Sequence, residues 1–140
     1  MANRVDSDLR ARREQAVDRL VAAINAGDAA GACAAFAHPR FELIGLNRVY
    51  DGTEAVERYL RDRRTAFPDQ RYELISLHHA DDAVIAEFWL AGTHLGDVEG
   101  LPASGRAFRC RMATFFEFAG DRLTCQRLYF DVGTIARQLA

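Results

Sequence analysis

The sequence predicts an α+β domain in which helices come first and long strands follow. Apolar residues recur at helical spacing in the first half of the chain, and strand-like runs separated by short turns fill the second half. Successive strands with short connections form an antiparallel meander rather than a parallel α/β sheet. We therefore expect a single domain spanning residues 1–140, with a strongly twisted, mostly antiparallel sheet and three helices on one face. The hollow between two such layers is a common ligand site.

Three helices are expected before residue 70. Ser7 and Asp8 can cap the first, its apolar residues recur every three or four positions, and Gly27 is a stop signal. Asp28 can cap the second, and Pro39 prevents its continuation. The predicted helices run from Ser7 to Gly27, from Asp28 to Phe36 and from Thr53 to Phe67.

Arginines cluster within the first and third predicted helices, as Arg10, Arg12 and Arg13 and as Arg61, Arg63 and Arg64. Acidic neighbours interrupt both clusters, a pattern typical of solvated helix faces. The net charge of −2 gives no electrostatic reason to expect nucleic acid or an anionic membrane as a partner. The N-terminus lacks the apolar stretch of a signal peptide, and no apolar run approaches the ~20 residues that span a bilayer. We expect a cytoplasmic protein.

Six strand-like runs follow from apolar alternation and from the turn residues between them. Two are short and flank Asn47, and four are longer and lie beyond residue 70. A long glycine-containing loop, residues 95–106, separates the second and third of the longer strands. The predicted strands are Phe41–Leu46, Arg48–Tyr50, Arg71–His79, Ala83–His94, Ala107–Phe118 and Arg122–Val132.

The last hairpin carries the most informative geometry. If Gly120 and Asp121 form a two-residue turn, regular pairing from that turn places Asp131 opposite Cys110. One face then holds Cys110, Met112, Thr114, Phe116, Cys125, Arg127, Tyr129 and Asp131. The opposite face holds the apolar side chains of Phe115, Leu128 and Phe130, which predict a homodimer contact. A slip of one residue would exchange the faces of one strand relative to the other.

Asp131 is the strongest catalytic candidate. Surrounded by Cys110, Met112 and Tyr129, its carboxyl group is expected to lose solvation, which raises its pKa toward values useful for proton transfer. Tyr129 can donate a hydrogen bond to a developing enolate, and Arg127 can hold the carboxylate or an acidic substrate group. The structural alternative is an aspartate that caps the C-terminal turn or pairs with an arginine.

His94 is the second catalytic candidate, because it borders the loop 95–106 and can relay a proton there. Its structural alternative is to anchor that loop by hydrogen bonds to the backbone. Trp89 is offset by one residue from Phe88 and Leu90, so it lines either the pocket or the dimer face. The histidines and the three cysteines lack metal-ligand spacing, and we expect no metal site and reduced thiols.

Short motifs along almost the whole chain resemble the SnoaL-like polyketide cyclases of the nuclear-transport-factor-2-like superfamily. Their order and spacing carry the resemblance more than any single motif does. They are Asn25-Ala26-Gly27-Asp28, Phe36-Ala37-His38-Pro39, Asp51-Gly52-Thr53-Glu54-Ala55-Val56, Ala66-Phe67-Pro68-Asp69, Gly92-Thr93-His94-Leu95-Gly96, the segment 100–106, Arg127-Leu128-Tyr129-Phe130-Asp131 and the closing segment 135–139.

This resemblance implies a curved-sheet cone closed by three helices, with an internal pocket for a small apolar or aromatic ligand. It further implies a homodimer that uses neither metal nor organic cofactor. In the cyclases, the aspartate that matches Asp131 acts as general acid/base in an intramolecular aldol ring closure of an aromatic polyketide ester. Fold alone does not settle the chemistry, because the superfamily contains other activities.

Three other functions are alternatives to cyclisation. Steroid isomerisation is disfavoured, because its tyrosine donor and aspartate correspond to Leu20 and Ile44. Epoxide hydrolysis needs two carboxylates joined by an arginine; Asp131 and Arg127 supply two of these groups, and Glu42 is a third if it points inward. A dimer that binds a small ligand without turning it over is the remaining alternative.

Overall fold

The computed structural model describes residues 6–140 and has the expected α+β architecture, with helices packed on a curved six-stranded sheet. The helices are α1 (Ser7–Asn25), α2 (Ala29–Ala34), α3 (Thr53–Ala66) and α4 (Val132–Leu139). The strands are β1 (Arg40–Leu43), β2 (Arg48–Asp51), β3 (Arg71–His79), β4 (Ala83–Thr93), β5 (Ala107–Ala119) and β6 (Arg122–Phe130). A 3₁₀ turn over Ile44–Leu46 joins β1 to β2.

The strand order is β2-β1-β6-β5-β4-β3, so the long strands form the predicted antiparallel meander. The short β1–β2 hairpin extends this meander through a parallel pairing of β1 with β6. One face of the sheet packs against the helices, and we call it the inner face; the other is the outer face. Among the described residues, no helix is long and apolar enough to cross a membrane.

Side-chain caps mark the starts of α1, α2 and α4. Asp6, rather than Ser7 or Asp8, caps α1 by accepting a hydrogen bond from the backbone N–H of Leu9 at 2.6 Å. Asp28 caps α2 as expected. The last predicted strand, in contrast, was two residues too long: β6 ends at Phe130, and Asp131 caps the fourth helix.

The predicted pairing of the last hairpin holds only near its turn. Ala119 faces Arg122 and Phe118 faces Leu123, but a β-bulge then inserts an extra residue into β6, so that Glu117 faces Cys125. Beyond the bulge, every β6 side chain is shifted by one position relative to β5. The expected face assignment of β6 was therefore wrong.

A buried arginine ties α1 to the far end of the sheet. The side chain of Arg13 is only 3% exposed and donates hydrogen bonds to the carbonyl oxygens of Gly120 and Asp81, at 2.8 and 3.0 Å. Its guanidinium also lies 5.3 Å from the ring centroid of Phe118. These carbonyls belong to the β3–β4 and β5–β6 turns, so one cation holds both hairpin ends against the helix. Arg13 is thus an exception to the solvated face expected for its cluster.

Arg13→Gln should lower the free energy of unfolding by about 2 kcal/mol, because buried carbonyl oxygens lose their donors. Urea denaturation measures this loss. Arg10→Gln, on the exposed side of α1, removes the same charge and should change stability by less than about 0.5 kcal/mol. Equal effects of the two substitutions would contradict the anchoring role of Arg13.

Candidate functional site

The bulge separates the residues that were expected to share one face. Cys110 and Met112 lie on the inner face, where they are 3% and 1% exposed. Tyr129 and Arg127 lie on the outer face: the Tyr129 ring packs edge-on against Phe115, and Arg127 pairs with Glu117. The expectation that Tyr129 and Arg127 join Cys110 and Met112 around one pocket was therefore wrong.

Trp89 also lies on the outer face. Its ring is stacked by the guanidinium groups of Arg109 and Arg111, at 3.9 and 4.8 Å from the ring centroid. Trp89 pairs with Arg111 and alternates along β4 with the buried Phe88 and Leu90. Of the two positions expected for Trp89, the pocket and the outer face, the structure therefore has the outer face.

Arg127 does join two carboxylates, but on the outer face. Its guanidinium lies 3.5 Å from Glu42 and 3.1 Å from Glu117. Asp131 is not part of this cluster and pairs with Arg137 instead. The arrangement considered for epoxide hydrolysis, with Asp131 and Glu42 about Arg127 inside the cone, is therefore not formed.

Asp131 caps the C-terminal helix, which is the structural alternative to a catalytic role. Its carboxylate accepts hydrogen bonds from the Gly133 backbone N–H at 3.1 Å and from the Thr134 hydroxyl at 2.7 Å, and its side chain is 69% exposed. The Thr134 hydroxyl and the Gly133 N–H hold the pKa of Asp131 below its usual range, since they stabilise the charged form. The expected rise of this pKa by burial was wrong. The catalytic role of Asp131 stays a prediction.

His94 anchors the loop 95–106. Its ring Nδ1 accepts a hydrogen bond from the Ser104 backbone N–H at 3.2 Å, and its backbone carbonyl accepts one from Gly105. The ring packs on Phe67 with 5.3 Å between centroids. The side chain is 2% exposed, and Nε2 has no hydrogen-bond partner within residues 6–140. This is the geometry of the anchoring alternative; proton relay by His94 remains untested.

A cavity lies between α3, the β1–β2 hairpin and the loop 95–106, with a volume of about 340 Å³. Its wall combines apolar, aromatic and charged side chains. They are Leu43, Leu46, Arg48, Tyr50, Arg58, Tyr59, Asp62, Arg63, Thr65, Asp97, Val98 and Glu99. A volume of this size accommodates a small organic molecule.

Two stacked tyrosines form the aromatic wall of the cavity. The rings of Tyr50 and Tyr59 lie 4.6 Å apart at an interplanar angle of 23°, and Tyr59 also contacts Phe41 in the core. Burial raises the pKa of Tyr59, although the charge of Arg63 opposes the rise. The Tyr59 hydroxyl therefore keeps its proton at neutral pH and can act as a hydrogen-bond donor.

Arg63 brings a positive charge to the same cavity. Its Nε and Nη2 both donate to the side-chain oxygen of Gln70, at 3.0 and 2.6 Å, and its guanidinium lies 4.6 Å from the Phe67 ring centroid. The sequence interpretation placed Arg63 on a solvated face. The signal that could have found it is its spacing, four residues after Tyr59 and four before Phe67, which continues the buried stripe of α3.

The loop 95–106 closes one side of the cavity and is held in place at its start and at its tip. The backbone N–H groups of Leu95 and Gly96 donate to the Ala66 carbonyl at the end of α3. A side chain at Gly96 would meet the Thr65 carbonyl oxygen at 2.3 Å, so only glycine allows this approach. At the tip of the loop, Glu99 forms an ion pair with Arg48 of β2 across the cavity edge.

In the part of the chain that the structure describes, no three His, Cys, Asp or Glu side chains are placed so that they could hold a metal ion. The three cysteines are buried and free. Burial raises the pKa of Cys125 to about 12, with Glu42 and Glu117 adding to the effect. Such a thiol is protonated and unreactive at neutral pH.

Several solved structures share this fold. The chain aligns with TsrD from Streptomyces laurentii at 25% identity and a TM-score of 0.80, covering 98% of each chain. A candidate polyketide cyclase from Xanthomonas campestris pv. campestris aligns at 19% identity and a TM-score of 0.83, covering 94% of this chain and 99% of that one. A protein from Catenulispora acidiphila with a ketosteroid isomerase-like fold aligns at 17% identity and a TM-score of 0.76, covering 88% and 90%.

Of the two sequence comparisons, only the one with family models gives a match. A search of curated proteins gives no significant match. The family model described as SnoaL-like polyketide cyclase matches residues 14–139, which is nearly the whole chain. The chain belongs to the SnoaL-like polyketide cyclase family.

Proposed function

We propose that this chain binds a small aromatic or apolar ester in the cavity beside α3 and closes a ring in it by acid/base catalysis. The observation that carries the proposal is the cavity of about 340 Å³, in which the Tyr50–Tyr59 stack stands beside the positive charge of Arg63. A flat aromatic ligand can pack on the tyrosines, and Arg63 can stabilise negative charge on it.

The proposed reaction is an intramolecular aldol closure. A base removes a proton from the carbon between two carbonyl groups, and the resulting enolate carbon attacks a third carbonyl carbon of the same molecule. The new alkoxide then takes up a proton, so no atom or electron is gained or lost and no cofactor is required. The protonated Tyr59 hydroxyl can donate a hydrogen bond to the attacked carbonyl or the new alkoxide.

Asp131 is the proposed base; it is not among the residues that line the cavity, and the support for this role comes from the backbone next to it. The Phe130 carbonyl oxygen would lie 2.6 Å from a side chain at Gly45, so the start of α4 packs directly against the 3₁₀ turn that contributes Leu46 to the cavity. Burial raises the pKa of Cys110, and the charges of Arg63 and Asp131 act on it in opposite directions. Both charges therefore act on one interior residue.

Binding without turnover is the second candidate function. The exposed carboxylate of Asp131 is held by two local hydrogen bonds, and its lowered pKa makes it a weak base. A cap of this kind needs no catalytic explanation. The two functions differ in whether the wild-type protein turns the ligand over, and the catalytic one further requires that removal of the Asp131 charge lowers that turnover.

Asp131→Asn should leave folding and ligand affinity intact and lower turnover of an aromatic poly-β-ketone ester by about 10²-fold or more. Asparagine caps helices as well as aspartate does, so the substitution separates the charge from the cap. The matched control is Asp6→Asn at the cap of α1, which should leave turnover unchanged. Undiminished turnover in Asp131→Asn would assign the base to another residue, and ligand binding without turnover in the wild type would leave binding without catalysis as the function.

The pH profile tests the same assignment. Because hydrogen bonding depresses the folded-state pKa of Asp131 below 3.8, its basic form is present throughout the range above that value. If Asp131 is the base, kcat/KM should stay level as the pH falls from 7 to about 5. A fall centred near pH 6 would indicate a different base.

We further propose that the outer face pairs with a second copy of the chain. Trp89, Phe115 and Tyr129 place aromatic rings there, and Tyr129 is 40% exposed. Leu128 and Phe130, which were expected on this face, belong to the inner face, so the proposed contact rests on different residues.

The protein should be a dimer by light scattering at micromolar concentration, and Tyr129→Lys should shift it toward the monomer by placing a charge in the contact. Leu101→Lys changes a more exposed apolar residue in the loop 95–106 and should leave the dimer intact. A monomeric wild-type protein would contradict this proposal without affecting the catalytic one.

The buried, free cysteines fit a reducing compartment, and we infer a cytoplasmic location for this activity.

A further inference from the structure

Arg63 is the arginine of the cavity that lacks an acidic partner in the described part of the chain. Three arginines line the cavity. Arg48 pairs with Glu99, and Arg58 pairs with Glu54. The guanidinium of Arg63 is instead held by the neutral side-chain amide of Gln70.

The setting of Arg63 makes its unpaired charge unusual. The side chain is half-buried, and its guanidinium is stacked on Phe67. A cation in such a setting is ordinarily paired with an anion, because desolvation leaves its charge uncompensated. Asp62 and Asp97 also line the cavity, but neither forms an ion pair with Arg63, and Asp97 accepts a hydrogen bond from the Ala103 backbone.

The charge of Arg63 reaches into the interior of the cone. Burial raises the pKa values of Tyr59, Tyr72 and Cys110, and in all three residues the charge of Arg63 opposes the rise. Three groups on α3, β3 and β5 thus experience one cation. A ligand in the cavity would lie close to the same cation, in a wall that also holds the carboxylates of Asp62, Asp97 and Glu99.

We propose that Arg63 is an anion subsite, and that the ligand of this cavity carries a planar two-oxygen anion on an aromatic body. The anion is either a carboxylate or the enolate of a 1,3-dicarbonyl group, since a planar guanidinium matches the geometry of both. The Tyr50–Tyr59 stack supplies a surface for the aromatic body. This inference rests on the proposed use of the cavity and specifies the class of substrate that enters it.

Paired ligands of one shape test the subsite. Isothermal titration calorimetry with 1-naphthoate and with its neutral methyl ester should show the carboxylate bound about 10-fold more tightly or better. Arg63→Gln should remove this preference by weakening naphthoate alone. Arg61→Gln removes the same charge from an exposed position of α3 outside the cavity wall, and should leave both affinities unchanged.

A second probe distinguishes the two anions. Benzoylacetone gains a red-shifted absorption when it forms its enolate, so bound enolate is visible directly. The wild-type protein should shift this transition to lower pH, and Arg63→Gln should not. A shift indicates enolate recognition, and tight naphthoate binding without it indicates a carboxylate-bearing substrate; either supports the subsite.

Different results would contradict the anion subsite and the proposed function of the cavity. Equal affinity for naphthoate and its ester in the wild type, or a preference that survives Arg63→Gln, would overturn the anion subsite and leave the proposed cavity function standing. Failure of all three probes to bind would overturn both. Arg63→Lys keeps the charge but loses the planar fork, so it should show an intermediate preference, and it supplies the comparison if Arg63→Gln does not fold.

Discussion

The position of one β-bulge decides which side chains this protein directs into its interior. Counted from the turn of the β5–β6 hairpin, the bulge comes after the pair of Phe118 with Leu123. It moves the rest of β6 by one residue against β5. Gln126 and Leu128 consequently face the helices, whereas Arg127 and Tyr129 face outward. Strand side chains alternate strictly, so a single inserted residue exchanges the two faces over the rest of the strand. The wall of the candidate cavity beside α3 contains no residue of β6.

Features that depend on local chemistry could be predicted from the sequence. Apolar periodicity and turn residues located β3 at its observed ends, and the cap at Asp28 followed from its side chain. The bulge and the parallel β1–β6 pairing depend on contacts between distant segments, which no local pattern reports. The end of β6 was missed because Val132 prolongs an apolar alternation, while the capping bonds of Asp131 already start a helix.

Two arginines show why charge clusters are poor guides to burial. Each comes from a cluster that alternates with acidic residues, and each occupies a position on the buried stripe of its helix. Arg13 satisfies its guanidinium with backbone carbonyls from two turns and so has a complete structural explanation. Arg63 has only the Gln70 amide oxygen and stands at a cavity. The same residue type is structural where its donors are saturated by the fold, and available to a ligand where they are not.

The lowered pKa of Asp131 and the charge of Arg63, which has no acidic partner among the described residues, both bear on one step of the proposed reaction, the removal of a proton from carbon. A carboxylate held charged by a helix cap is a weak base, and it removes a proton from carbon only when the resulting enolate is strongly stabilised. A cation already held in position at the cavity can supply that stabilisation without reorganising during the reaction. If Asp131 is the base, as proposed, catalysis would depend on enolate stabilisation by Arg63 more than on any rise in the basicity of Asp131 itself. The cap at α4 can then serve structure and chemistry at once, because the reaction requires the charged form of the carboxylate that the cap already favours.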